Sequence, residues 1–175
     1  MTALPIPAPL SLTHERPADA VVVEALIARA FGPGRYAKAA ERLREHNAPL
    51  LDLSFVARMD GVAVGCVRLW PVTVGETPAV LLGPFAVDEA CRSQGLGTAL
   101  IERACAAAKA AGHALILLVG DPAYFEPLGF SAAPARRVVM PGPVDQGRVM
   151  VQPLKPGAAD DLTGPVQACE ELPAT

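Results

Sequence analysis

The apolar run Ala79 to Val87 leaves few folds open to this chain. Nearly every residue in it is apolar, which is typical of a strand covered on both faces at the centre of a sheet. Pro84 interrupts the run, and proline has no N–H to donate to a neighbouring strand. Gly83 and Pro84 therefore predict a β-bulge, or a point at which the sheet opens.

The segments around this run predict a sheet with helices on both of its faces. Two apolar runs, Leu53 to Met59 and Val62 to Trp70, flank Asp60-Gly61, the strongest short hairpin signal. Further strands are predicted at 10–15, 115–119, 137–140 and 149–154, and helices at 16–31, 36–46, 98–111 and 122–128. The fold class is therefore α/β, with a mixed, mostly antiparallel sheet of six or seven strands.

Length and composition predict one soluble domain. The 175 residues are 51% hydrophobic and 19% charged, enough for a single core, which we place in residues 1–156. Residues 157–175 are small, polar and acidic, so we expect a loosely ordered C-terminal tail. A net charge of −3 without a basic stripe argues against nucleic acid, and no apolar run is long enough to cross a membrane.

The cysteines and the N-terminus predict a cytoplasmic protein. The four cysteines are widely spaced and only three histidines accompany them, so we expect reduced thiols and no metal site. Residues 1–10 carry three prolines and no positive charge before their apolar residues, unlike a secretory signal. The exposed strand edges and the run Val138 to Met140 could pair with a second copy as a homodimer.

An anion site is predicted where the central strand leads into the strongest helix. Gly95 and Gly97 open that helix, whose first N–H groups have no partner within the helix and favour phosphate. The same glycines could instead only permit a tight turn. A dinucleotide loop would need glycine in place of Leu100, and a P-loop lysine is absent, so NAD is a weak third ligand class.

Two stretches resemble the GNAT superfamily of acetyl-CoA-dependent N-acyltransferases. Arg92-Ser93-Gln94-Gly95-Leu96-Gly97 matches the superfamily pattern Arg/Gln-x-x-Gly-x-Gly/Ala and follows an interrupted apolar strand. The second stretch, 115–130, runs from a strand through a short helix to Gly129-Phe130. The resemblance covers about residues 10 to 155 and is strongest from 80 to 130. It implies a three-layer domain whose sheet splays at the centre.

The resemblance also implies where acetyl-CoA would bind as co-substrate, without a metal. The loop from Arg92 to Thr98 would hold the pyrophosphate, and backbone groups of the central strand would pair with the pantetheine arm. The implied coenzyme-binding residues are Phe85, Ala86, Val87, Arg92, Ser93, Gln94, Gly95, Leu96, Gly97, Thr98 and Phe125.

The implied reaction is attack by a primary amine on acetyl-CoA in a ternary complex. Since an alkyl amine is only about one part in 10³ neutral at pH 7, a base should matter more than an acid. Asp88, Glu89 and Asp121 follow the two strands that would flank the cleft. The superfamily's usual acid is a tyrosine at the position of Phe125, so Tyr124 either replaces it or simply packs.

The acceptor is left open between a small molecule and a peptide or protein amine. The superfamily usually builds its acceptor site between the first two helices, where Arg35 and Tyr36 lie. The net acidity leans towards a cationic acceptor. Because Phe125 stands in the tyrosine position, the alternative is a catalytically weak acyl-CoA sensor or interaction module.

Overall fold

The computed structural model describes residues 10–169. The strands of this part are β1 (Leu10–His14), β2 (Phe55–Met59), β3 (Val62–Val74), β4 (Thr77–Val87), β5 (Leu115–Val119), β6 (Val138–Val139), β7 (Val149–Pro153) and β8 (Gly164–Ala168). Its α-helices are α1 (Ala20–Phe31), α2 (Leu96–Ala110) and α3 (Pro122–Phe125). Short 3-10 segments lie at 17–19, 33–37, 39–43, 51–53, 89–91, 126–128, 133–135 and 146–148.

The sheet is mixed and mostly antiparallel, as predicted. Its main path runs β1-β2-β3-β4-β5-β7, in which β4 and β5 are the parallel pair. The predicted hairpin forms at Asp60-Gly61, where Met59 pairs with Val62. The sheet has eight strands, one more than the six or seven predicted, and the additional strand, β8, comes from the C-terminal segment.

The prediction of a loose tail from residue 157 is wrong for residues 157–169. Strand β8 pairs antiparallel with residues 72–74 of β3 and parallel with β6. Val166 within β8 and Leu162 just before it are buried. The composition of this segment did not predict a strand, because only one of the five residues of β8, Val166, is buried. Residues 170–175, and residues 1–9 with the predicted non-secretory N-terminus, lie outside the described part.

The centre of the sheet opens where Gly83-Pro84 predicts it. Val67 pairs with Phe85 and Leu69 with Leu82, so β4 carries one extra residue in a bulge. The indole Nε1 of Trp70 donates to the Gly83 carbonyl at 2.6 Å and anchors this bulge. Beyond Leu81 the pairing between β4 and β5 ends, so the two strands part on the side towards Val87.

Helices cover both faces, which confirms the predicted layers. Helix α2 buries Leu100, Ile101 and Ala104 against one face, and α1 buries Val23 and Ile27 against the other. The helix predicted at 36–46 is instead two 3-10 segments, because Lys38 between them is extended at φ −73° and ψ 143°. Within residues 10–169 no helix has the length and apolar character of a membrane span.

Candidate active site

A cavity of about 580 Å³ lies where β4 and β5 part. Strand β4 contributes Leu82 to Phe85, and β5 with the turn after it contributes Leu118 to Asp121. The rest of the wall comes from α1, the 3-10 segments after it, helix α3 and the loop before β7. These residues are Phe31, Arg35, Lys38, Ala39, Ala40, Arg44, Tyr124, Phe125, Pro143, Val144, Asp145 and Arg148.

A loop of exposed backbone amides leads into helix α2. Ser93 and Gly95 both have positive φ, 65° and 77°, and Gly95 forms the N-cap of the helix. In the part of the chain that the structure describes, the N–H groups of residues 93–95 donate to no protein acceptor. Such a succession of free amides at a helix N-terminus is a concave anion site. Arg92 stands beside it, with Nε donating to the Val87 carbonyl at 3.3 Å.

Gly97 joins this loop to the cavity. A Cβ at Gly97 would lie 3.1 Å from the Tyr124 hydroxyl, 3.5 Å from the Phe85 ring and 3.6 Å from Val87. Phe85 and Tyr124 both line the cavity, so the loop and the cavity share a wall. Because glycine has no Cβ, Gly97 leaves a narrow open space beside the first turn of α2 that a larger residue would fill.

Tyr124 and Phe125, adjacent in sequence, have different surroundings. The Phe125 ring is buried, packs edge-on against Phe85 and Phe130 and forms part of the core. The Tyr124 side chain is more exposed, stacks on Phe85 at 6.0 Å between ring centroids, and has its hydroxyl 3.3 Å from Thr98 Oγ1. Tyr124 is thus the tyrosine whose hydroxyl lies at the shared wall.

The three carboxylates predicted as candidate bases do not lie together in the structure. Asp121 lines the cavity, and one of its oxygens accepts from the Ala123 N–H at 3.0 Å. Asp88 caps the 3-10 turn through Ala90 and lies 4.0 Å from Arg29, outside the cavity wall. Glu89 is exposed in the same turn. The base role of Asp88 and Glu89 stays a prediction that this geometry does not favour.

Basic side chains on the cavity wall are the residues that sequence reasoning largely missed. Arg35, which we predict as an acceptor contact, lines the cavity. Lys38, Arg44 and Arg148 also line it, but they belong to no recognisable motif in a chain of negative net charge. Burial of Arg44, with repulsion from Arg35 and Arg68, lowers the pKa of its guanidinium despite its ion pair with Glu41. Tyr36, the other predicted acceptor contact, lies outside the wall and accepts from Arg35.

The predicted coenzyme residues form two neighbouring groups. Ser93 to Gly95 are exposed in the amide loop, and Leu96 is buried under it. Phe85 lies on the cavity wall, whereas Ala86 points to the opposite face and packs with Cys66 beneath α1. Backbone groups of successive strand residues point to alternate edges, so the free edge of β4 presents those of Phe85 and Val87, while Ala86 faces β3 like Asp88, whose N–H donates to the Val64 carbonyl.

Comparison with known proteins identifies the class to which this arrangement belongs. The matching family model, the acetyltransferase (GNAT) family, covers residues 22–130. An uncharacterized N-acetyltransferase, YhbS of Escherichia coli K12, is 34% identical over 161 residues, or 90% of this chain and 95% of that protein. The chain belongs to the GNAT family, as the resemblance predicted.

Solved structures agree with this assignment. The GNAT family N-acetyltransferase YhbS from Escherichia coli, crystallised in complex with CoA, has a TM-score of 0.80 and 30% identity, covering 97% of this chain and 94% of that one. A GNAT family acetyltransferase from Brucella melitensis, in complex with acetyl-CoA, has a TM-score of 0.62 and 31% identity. That match covers 81% of this chain and 95% of the Brucella chain.

Proposed function

We propose that this protein transfers an acetyl group from acetyl-CoA to a primary amine by direct attack in a ternary complex. The observation that carries the proposal is the position of the free edge of β4. It opens onto a cavity whose wall includes Phe85 and Tyr124, and the Tyr124 hydroxyl lies 3.3 Å from Thr98 Oγ1 in the first turn of α2, directly after the amide loop. An anion on the loop and a thioester in the cavity are therefore within reach of one extended ligand.

The residues present fit that coenzyme. The free amides of Ser93 to Gly95 and the N-terminus of α2 suit a pyrophosphate. The free edge of β4 at Phe85 and Val87 suits an amide-rich arm, because backbone groups on an edge without a neighbouring strand need partners; the Val87 carbonyl already accepts from Arg92 Nε at 3.3 Å. The same backbone groups would polarise a thioester carbonyl. The two relatives solved with CoA or acetyl-CoA support this proposal.

The proposed chemistry needs one proton removed and one supplied. The neutral amine nitrogen attacks the thioester carbonyl carbon, a C–N bond forms and the C–S bond breaks. Asp121, on the cavity wall, takes the proton that the nitrogen loses, directly or through a water. Tyr124 gives its hydroxyl proton to the departing sulfur. The products are the N-acetylated amine and free CoA.

The buried Phe125 motivates a second candidate function, a domain that binds acyl-CoA and turns over slowly. Its ring fills the core at the position where the superfamily usually has its acid. Turnover near about 10 s⁻¹ with any amine would eliminate this alternative. Tight coenzyme binding with negligible turnover across a broad amine panel would favour it.

The first experiment is calorimetric titration with acetyl-CoA, CoA and NAD. We expect micromolar binding of acetyl-CoA and CoA to the native protein and no binding of NAD. Gly97→Trp should abolish the binding, because even a Cβ would lie 3.1 Å from Tyr124. Gly34→Trp is the matched control, since a Cβ there meets nothing within 4 Å. Circular dichroism checks that both variants fold.

Two results of this titration would contradict the proposal. One is a native protein that binds neither acetyl-CoA nor CoA. The other is a folded Gly97→Trp variant that binds the coenzyme as tightly as the Gly34→Trp control does. Gly97→Ala provides a milder version of the same test if the tryptophan prevents folding, and it should weaken the coenzyme affinity without abolishing it.

A further inference from the structure

We propose that the acceptor amine carries a carboxylate, which Arg44 and Lys38 bind at the end of the cavity away from the coenzyme loop. The inference rests on the proposed function and names its substrate class. It replaces the cationic acceptor that the net charge of −3 suggests. Charge on the whole surface says little about the charge at one concave site, where nearby groups dominate the potential.

The cavity wall has a basic excess. Arg35, Lys38, Arg44 and Arg148 line it, against the acids Asp121 and Asp145. Each of these two acids already accepts a hydrogen bond from a backbone N–H two residues further along the chain, at 3.0 Å. The acids are therefore held at turns, while the basic groups keep unused donors.

Arg44 is the most constrained of these cations. Its side chain is only 14% exposed, and its one carboxylate partner in residues 10–169 is Glu41, at 3.1 Å from Nη1. Its Nε is buried without an acceptor. A guanidinium has five N–H donors, and a buried donor without an acceptor costs free energy. A carboxylate in the cavity, beside the exposed part of this side chain, would add a second anion to the guanidinium and offset its loss of hydration.

Lys38 provides a second charge of a different kind. Its ammonium lies 4.9 Å from the centre of the Phe31 ring, and no carboxylate within residues 10–169 pairs with it. Arg35 is held by Glu24 at 2.9 Å and also by the Tyr36 hydroxyl at 2.7 Å, whereas Arg44 is held within residues 10–169 by Glu41 alone. Arg148 lies beside β5, where its Nε donates to the Gly120 carbonyl at 3.2 Å. Lys38, beside Phe31, and Arg44, beside Gly83, are therefore the cations at this end of the cavity that keep donors for a ligand.

The two ends of the cavity are set by β4. A Cβ at Gly83 would lie 3.1 Å from Arg44 Nη2, whereas a Cβ at Gly97 would lie 3.5 Å from the ring of Phe85, two residues along. Two residues of a regular strand span about 7 Å, which is the upper limit across this bulge. A carboxylate at Arg44 is therefore separated from the reacting end by a short spacer, and a coenzyme phosphate on the amide loop does not compete for it.

The test compares three amines of one carbon skeleton: 4-aminobutyrate, 4-aminobutanamide and 1,4-diaminobutane. They differ in charge at the end remote from the attacking nitrogen. We expect kcat/KM for the carboxylate to exceed that for the amide by about tenfold or more, and the diamine to be the poorest. Arg44→Gln should reduce the carboxylate-to-amide ratio by about 10- to 100-fold, and Lys38→Met by about 3- to 10-fold.

Controls separate charge recognition from damage to the fold. Arg103→Gln makes the same substitution on the far side of α2, where Arg103 covers the Phe55 ring, and should leave the ratio as in the native protein. Arg44→Lys keeps the charge and should retain more of the preference than Arg44→Gln does. Lys38 is exposed, so Lys38→Met is expected to fold even if an Arg44 variant does not.

A carboxylate-to-amide ratio below about threefold, or a ratio that survives both Arg44→Gln and Lys38→Met, would overturn the inference. If no amine is acetylated, the inference is tested by measuring the binding of 4-aminobutyrate to the CoA-saturated protein. It is overturned if 4-aminobutyrate does not bind, or if Arg44→Gln does not weaken the binding. Failure of the proposed function is recognised separately, because then the native protein does not bind acetyl-CoA.

Discussion

The ion pair between Arg68 and Glu15 lies in the interior, and its disruption should cost much of the stability of the fold. Both side chains are nearly inaccessible, at 7% and 2% exposure. Glu15 accepts three hydrogen bonds from Arg68, the shortest at 2.7 Å from Nη2. Arg68 also donates to Glu24 at 2.6 Å, and Glu24 in turn holds Arg35 on the cavity wall.

Glu15→Leu removes the main partner and leaves a buried guanidinium with Glu24 alone. Breaking a buried pair in this way costs about 3–5 kcal/mol, because the remaining charge has lost its hydration without compensation. For a domain of this size each kcal/mol corresponds to about 2–4 °C, so Tm should fall by about 6–20 °C. The double change Glu15→Leu with Arg68→Met removes the stranded charge and should recover about 2 kcal/mol or more.

Urea unfolding followed by tryptophan fluorescence measures these effects, because the single tryptophan, Trp70, is buried two residues from Arg68. Arg137→Met is the control: its pair with Asp161 is exposed and should contribute less than about 0.5 kcal/mol. The reasoning is refuted if Glu15→Leu costs less than about 1 kcal/mol, or if the double variant is less stable than Glu15→Leu alone.

Three further predictions concern single groups. Tyr124→Phe should lower kcat by about tenfold or more with little change in acetyl-CoA affinity, and unchanged turnover would dismiss its acid role. Burial tends to raise the pKa of Asp19, but hydrogen bonds from Arg16 and the charge of Arg58 outweigh it and lower the pKa. The stability that Asp19 contributes is therefore complete above about pH 3.9 and is lost as the pH falls through the lower pKa of the folded state. In urea titrations, Asp19→Asn should destabilise the protein at pH 7 and do so progressively less below pH 4. Burial raises the pKa of Cys66 and of Cys105 to about 12, so peptide mapping should find both unlabelled by iodoacetamide at pH 8 until the protein unfolds; rapid labelling of the native protein would contradict this.

Local chemistry made much of the fold predictable. The Asp60-Gly61 turn, with positive φ at both residues, fixes the hairpin, and Pro84 marks the bulge because it cannot donate to a ladder. Helix α2 follows from its spacing of Leu100, Ala104 and Ala108, which are all buried. In each case the signal lies within a few residues of the feature it produces.

The remaining features depend on contacts that are remote in sequence. Strand β8 has one buried side chain, so its pattern does not differ from that of a loop, and only pairing with β3 and β6 defines it. The basic cavity wall gathers Lys38, Arg44 and Arg148 from segments that share no motif. The hydrogen bond by which Trp70 anchors the bulge also depends on a partner in the next strand, the Gly83 carbonyl. A lone tryptophan in the strand opposite a predicted bulge could have indicated this hydrogen bond.

Pairing between β3 and β8 sets the order in which the chain can complete its fold during synthesis. Residues 72–74 of β3 leave the ribosome long before residues 166–168, their partners in the sheet. At about 5–20 residues per second, the delay is roughly 5–20 s. Throughout it, the edge of β3 at residues 72–74 is open to pairing with other nascent chains. A chaperone that shields this edge should raise the yield of native protein more than one that acts after release.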